Sequence, residues 1–138
     1  MADLIIVPAI ALGLIVGLVE LFLVHTDEQA MGILWLTHGL HAVPFAILFV
    51  FINMNLTFAL GLVGVHIQEN FMIDLALRAA VGLVAMVKVA SAAALVRGSM
   101  VGEKMIHSLL IGVLVAASAY VPTSVFTTIC TQYHIPYC

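Results

Sequence analysis

Lys88 stands well inside an apolar stretch, residues 72–96, nine residues before Arg97. At about 1.5 Å per residue its Cα lies roughly 13 Å from that end of a helix. An ionisable side chain at the centre of a lipid-embedded helix costs about 2.5–3.5 kcal/mol on insertion scales. Counted from Asp74, the offsets of Arg78, Ala85 and Lys88 are 4, 11 and 14, which repeat the helical period and put all four on one face. Asp74 and Arg78 stand at i, i+4 and can pair with each other, whereas Lys88 has no partner on its own helix. Glu20, near the end of the first apolar stretch, is the acid expected to meet it. Such a pair has two uses. It fixes helix packing, with snorkelling of the lysine to the headgroups as a variant, or it relays protons or gates ions. The packing role is the leading expectation and transport the alternative.

The histidines allow a second chemistry. His38 and His41 stand at i, i+3, so both imidazoles share one side of a helix, a geometry suited to a transition metal or to a hydrogen bond with a quinone. Glu20, His25 and His107 are expected toward the same end of the molecule. No metal-ligand spacing is complete, however, and histidines beside Trp35 read first as an interfacial anchor. A metal or a haem held by His38, His41 and His107 is therefore an alternative, and lipid the expected ligand. Cys130 and Cys138 are the only cysteines, and a disulfide closing the short loop between them needs an oxidising compartment. Two unpaired thiols are the competing state. A metal set of Cys130, His134 and Cys138 needs a helix that Pro136 interrupts. The chain carries no glycine-rich phosphate loop, no nucleophile elbow, no Cys-x-x-Cys and no carboxylate pair placed for hydrolysis, so no enzymatic activity of its own is expected.

The elements that must hold these residues follow from composition. Of 138 residues, 64% are hydrophobic and 8% charged, and the mean hydropathy is +1.27. Soluble domains carry about 25% charged residues. Four Lys and Arg and seven Asp and Glu cannot clothe a water-soluble globule of this length, so acyl chains are expected to cover most of the surface. A net charge of −3 with no basic patch leaves nothing to neutralise phosphates, which excludes nucleic acid as a partner. The expected fold is all-α: a polytopic transmembrane helix bundle forming a single domain, with spans near 4–24, 43–65, 72–96 and 105–126 and a polar tail at 127–138.

The region 29–65 lacks Asp, Glu, Lys and Arg, and at 37 residues it is long for one span and short for two. A short interfacial or re-entrant helix at 31–41, a break at Pro44 and a span at 43–65 is the preferred division. A span at 31–52 with a turn at Asn53–Asn55 is its rival. Gly13-x-x-x-Gly17, the alanines at 90–94 and the small residues at 112–119 give smooth faces for close helix approach. Arg97 and Lys104 place the turn between the third and fourth spans in the cytoplasm, and both termini outside it. The expected location is the plasma membrane of a prokaryote.

These features lead to a non-catalytic subunit of a larger membrane complex, of respiratory or oxidoreductase type, that packs against and stabilises core subunits. The partners are the lipid bilayer and other membrane subunits or further copies of the chain. A small self-assembling channel or transporter using Lys88 and Glu20 is the alternative, and a metal- or haem-binding membrane protein using His38 and His41 a further one.

Overall fold

The computed structural model describes residues 4–27, 34–65, 70–97, 105–122 and 124–132, with the backbone alone at 24–27, 34–40, 92–97 and 129. Among them every regular element is helical: α1 (Val7–Asp27), α2 (Leu34–Met54), α3 (Leu56–Leu62), α4 (Phe71–Arg97), α5 (Met105–Ala117), a 3-10 turn (Ser118–Tyr120) and α6 (Ser124–Gln132).

Local sequence sets most of these limits. Pro8 lies in the first turn of α1, where its missing N–H has no partner to lose. Asn70 precedes α4 and accepts hydrogen bonds at Oδ1 from the Met72 and Ile73 N–H groups, at 2.9 and 3.4 Å, as a cap. Asp74 then adds a negative charge in the first turn, where the helix dipole favours one. At the far end of α3, the Val65 N–H donates to Leu60 O and the Gly64 N–H to Gly61 O, at 2.9 and 3.1 Å. Gly64 has φ of +75°, so this is the left-handed stop that glycine permits without a Cβ clash. Pro122 ends the 3-10 turn by forcing Val121 to extended backbone, ψ 123°.

The second span differs from expectation. No break occurs at Pro44 and no separate helix precedes it within the described residues: α2 runs unbroken through Pro44 to Met54. The break comes instead at Asn55, φ −111° and ψ 40°, after which α3 leaves at 94°. Pro44 itself is exposed, and α1 packs beside it, with Gly17 against Val43 and Ala46. Asn55 offers the chain a competing set of hydrogen bonds, described below. The fourth helix also departs from its expected course. It stops at Ala117 rather than near residue 126, and a separate helix, α6, takes in residues expected in the tail, bent by 70° from the preceding segment.

The helices form two antiparallel hairpins, α1 on α2 and α4 on α5, that pack through α2 against α4 and α1 against α5. Glycines bring the backbones together. A Cβ on Gly13 would lie 2.5 Å from Ile47 Cα, and one on Gly17 would lie 2.8 Å from Val43 Cα. In the other hairpin a Cβ on Gly82 would lie 2.5 Å from Gly112 O. The core between the hairpins is built of small and medium side chains: Ala9, Val16, Ala46, Val50, Ala85, Val89, Ile111 and Val115. Among the described residues no single helix is both long and apolar enough to cross a membrane. Two bent pairs meet both conditions together, His41–Met54 with Leu56–Leu62 and Met105–Tyr120 with Ser124–Gln132.

Candidate functional site

Two polar layers interrupt the apolar core, and α4 contributes a cation to each. Arg78 and Lys88 are ten residues apart, about 15 Å along the helix axis. Gly82, Ala85, Val50, Ile111 and Val115 fill the space between with buried, apolar atoms.

The first layer is built on the break in α2. Asn53 is completely buried, and its Nδ2 donates to Val115 O (2.7 Å), Ala116 O (3.1 Å) and Ser118 Oγ (3.2 Å). These bonds tie the end of α2 to the end of α5. Ser118 Oγ in turn donates to Val115 O at 2.7 Å. Two of the groups facing Nδ2 are carbonyl oxygens, so the amide orientation is fixed by the acceptors around it. Asn53 Oδ1 then points where no described donor reaches it. A buried acceptor left in that state costs about 1–3 kcal/mol. The backbone carbonyl of Asn53 fares better, since Arg78 Nη1 donates to it. Arg78 Nε donates to Asp74 Oδ2 at 2.7 Å, and its guanidinium carbon lies 5.9 Å from the centre of the Tyr120 ring. Asn55 completes the layer by tying α1 to the same end. Its Nδ2 donates to Ile5 O and Phe51 O, both at 3.0 Å, and its Oδ1 accepts from the Ile5 N–H at 2.8 Å. A cavity of about 90 Å³ opens here between Leu4, Asn55, Thr57, Phe58 and Arg78.

The second layer centres on Lys88. Its ammonium sits 3.7 Å from the centre of the Phe45 ring on α2, a cation held over the negative face of an aromatic ring. The Glu20 carboxylate on α1, itself 6% exposed, acts on that ammonium electrostatically. The lysine therefore bridges the two hairpins and is not extended toward either end of α4. Snorkelling would have to cover about 13 Å of helix to reach Arg97 and 15 Å to reach Arg78, farther than a lysine stem extends.

The remaining candidates are dispersed. Asp74 and Arg78 pair as their spacing allows. His41 is exposed on α2 and His107 half-buried on α5, while the side chain of His38 lies outside the described residues. Among the described residues no group of three or more His, Cys, Asp or Glu side chains is placed to hold a metal. Cys130 is buried at 5% exposure on α6. Cys138 lies outside the described residues, and with it the expected disulfide. Sequence reasoning missed Asn53, Asn55, Phe45 and Tyr120 as site residues. Two amides within three positions of an apolar run were the available signal, because buried amides must find partners. Comparison of the chain with known protein families, curated proteins and solved structures gives no match.

Proposed function

We propose that this chain is a polytopic integral membrane protein that serves as a non-catalytic subunit of a larger membrane assembly. The observation that carries the membrane reading is the distribution of side chains across the bundle. Small and polar groups lie inside: Ala9, Ala42, Ala46, Ala85, Asn53, Ser108, Ser118 and Glu20 are all under 7% exposed. Large apolar groups lie outside, with Ile15, Leu18 and Phe22 on α1, Leu83, Val84 and Val87 on α4, and Ile106, Leu109 and Val113 on α5, each more than half exposed. Monomeric proteins in water rarely show contiguous apolar patches beyond a few hundred Å². In lipid such a surface carries no penalty, and close packing of small residues replaces the missing hydrophobic drive.

Spacing along α4 supports the same reading. From Arg78 to Arg97 is 19 residues, about 28 Å of helix, close to the roughly 30 Å of a hydrocarbon core. Lys88 then falls near the midplane. The cations on α4 are met inside the bundle, Arg78 by Asn53 O and Lys88 by Phe45 and Glu20. The four spans are α1, α2, α4, and α5 with the 3-10 turn that continues it.

The subunit role is motivated by α4. One side of this helix packs on α5 and another on α2. Over its first half a further part of this helix, Ala76 and Ala80, is exposed and bears only small side chains. Such a face admits the backbone of a neighbouring helix closely. The interior charges, meanwhile, are taken up in tying helices together, which is the structural use of an ion pair. Extraction into mild detergent followed by native mass spectrometry tests the role. The expected result is a species well above the chain mass, with further subunits or further copies present. A homogeneous monomer would contradict it.

A further inference from the structure

Two short helices are bent away from the bundle, and both leave from the same end. The ends of α2 and α5 are joined by the bonds from Asn53 to Val115, Ala116 and Ser118. From that junction α3 departs at 94° to the segment before it, and α6 at 70°. The outer face of α3 is apolar, and that of α6 is polar around one valine. On α3, Phe58 is 37% and Leu62 73% exposed, and Val63 just beyond is 71% exposed. On α6, Val125 is 59% exposed, beside the exposed threonines 127, 128 and 131. A short apolar helix and a short polar one, both turned steeply away from the helices before them at the same end, fit the boundary between headgroups and acyl chains.

We propose that α3 and α6 lie in the plane of a phospholipid leaflet, at its headgroup boundary, with the leaflet covering the exposed apolar side chains of α3 and Val125 of α6. The inference rests on the membrane reading above. The depth is set by Arg78, whose bond to Asn53 O holds the break in α2 at one end of the 28 Å that separates Arg78 from Arg97. Asn53, Asn55, Asp74 and Tyr120 gather at the same level, and Tyr120 is 49% exposed there. Charged and aromatic residues at a shared level mark an interface, not a hydrocarbon interior. At 94° to α2, α3 neither continues that helix nor doubles back along it.

Tryptophan fluorescence in vesicles tests the depth. The chain has one tryptophan, so Trp35→Phe provides a silent background. Leu62→Trp, Val125→Trp and Val87→Trp are then each reconstituted as full-length protein with lipids brominated either near the headgroup or near the end of the acyl chain. All three positions are more than half exposed and should accept the change. The expected result is stronger quenching by the shallow label at positions 62 and 125, and by the deep label at 87. Deep quenching at 62 and 125 would overturn the proposal in favour of re-entrant segments. No lipid quenching there, with position 87 still deeply quenched, would place these helices in water or under protein, and would overturn it while leaving the membrane reading intact. Loss of quenching at position 87 as well would remove both.

Discussion

Asn53 and Lys88 are the two side chains on which the interior depends, and they act differently. Asn53 is a neutral clamp whose one amide group reaches two carbonyl oxygens and a hydroxyl on another helix. Replacing it with Ala leaves those acceptors without their donor and is expected to cost about 1–3 kcal/mol. Asn53→Asp should cost more, because a carboxylate facing carbonyl oxygens supplies no donor. Unfolding in detergent, followed by circular dichroism, reads both, and a milder effect for Asp than for Ala would contradict the assigned amide orientation. Lys88 is a charge whose value lies in its surroundings. A double-mutant cycle of Lys88→Met and Glu20→Gln should show non-additivity on the order of 1 kcal/mol or more, since each change strips the other group of its counter-charge. Additive effects would separate the two. Lys88 was visible in the sequence because a lysine amid apolar residues has few explanations. Asn53 was not, because an asparagine reads equally as turn former or buried clamp until the helix facing it is known. Phe45 was hidden for the same reason: one phenylalanine among many is marked only by the cation above it.

At the scale of the element, backbone approach decides the packing. The pair Gly82 and Gly112 sets the distance between α4 and α5. Gly82→Leu forces a Cβ to within 2.5 Å of Gly112 O and 2.9 Å of Ala116 Cβ, so the hairpin must open. Overpacking of this kind costs typically 1–3 kcal/mol. Gly61 is the control, for it is helical yet a Cβ added there would meet nothing within 4 Å, and Gly61→Ala should be neutral or stabilising by up to about 1 kcal/mol. Equal losses at the two sites in a thermal melt would show that packing contact is not what distinguishes them. Helix existence was largely legible from apolar run lengths, and the α1 glycines from their spacing. The break in the second apolar stretch was legible only as the rival division, with its turn at Asn53–Asn55. Pro44 carries the stronger breaking signal in isolation, yet the helix passes through it and yields at Asn55. The difference is tertiary: Asn55 gains three hydrogen bonds by turning toward Ile5 and Phe51. The cap at Asn70, by contrast, is a local signal and could have been read directly.

For the whole molecule, the account is of a bundle turned outward, with a small polar interior and a coat of large apolar side chains. If α4 offers its small-residue face to a neighbouring subunit, Ala80→Trp should lower the mass of the species extracted in mild detergent while leaving the helical content unchanged. An unaltered mass would move the contact to another face. The general character of the surface was legible from eleven charged residues in 138, a count no folding pattern can change. Which face meets lipid and which meets protein was not, because both are apolar and sequence composition does not separate them. The claim beneath all of this is that acyl chains, and not water, surround the outer faces of α1, α4 and α5. It is tested most directly by removing detergent from the purified protein and following its dispersity in plain buffer by light scattering. The account predicts prompt aggregation that lipid or fresh detergent prevents. A monodisperse particle of 14.7 kDa, stable in buffer alone, would contradict it.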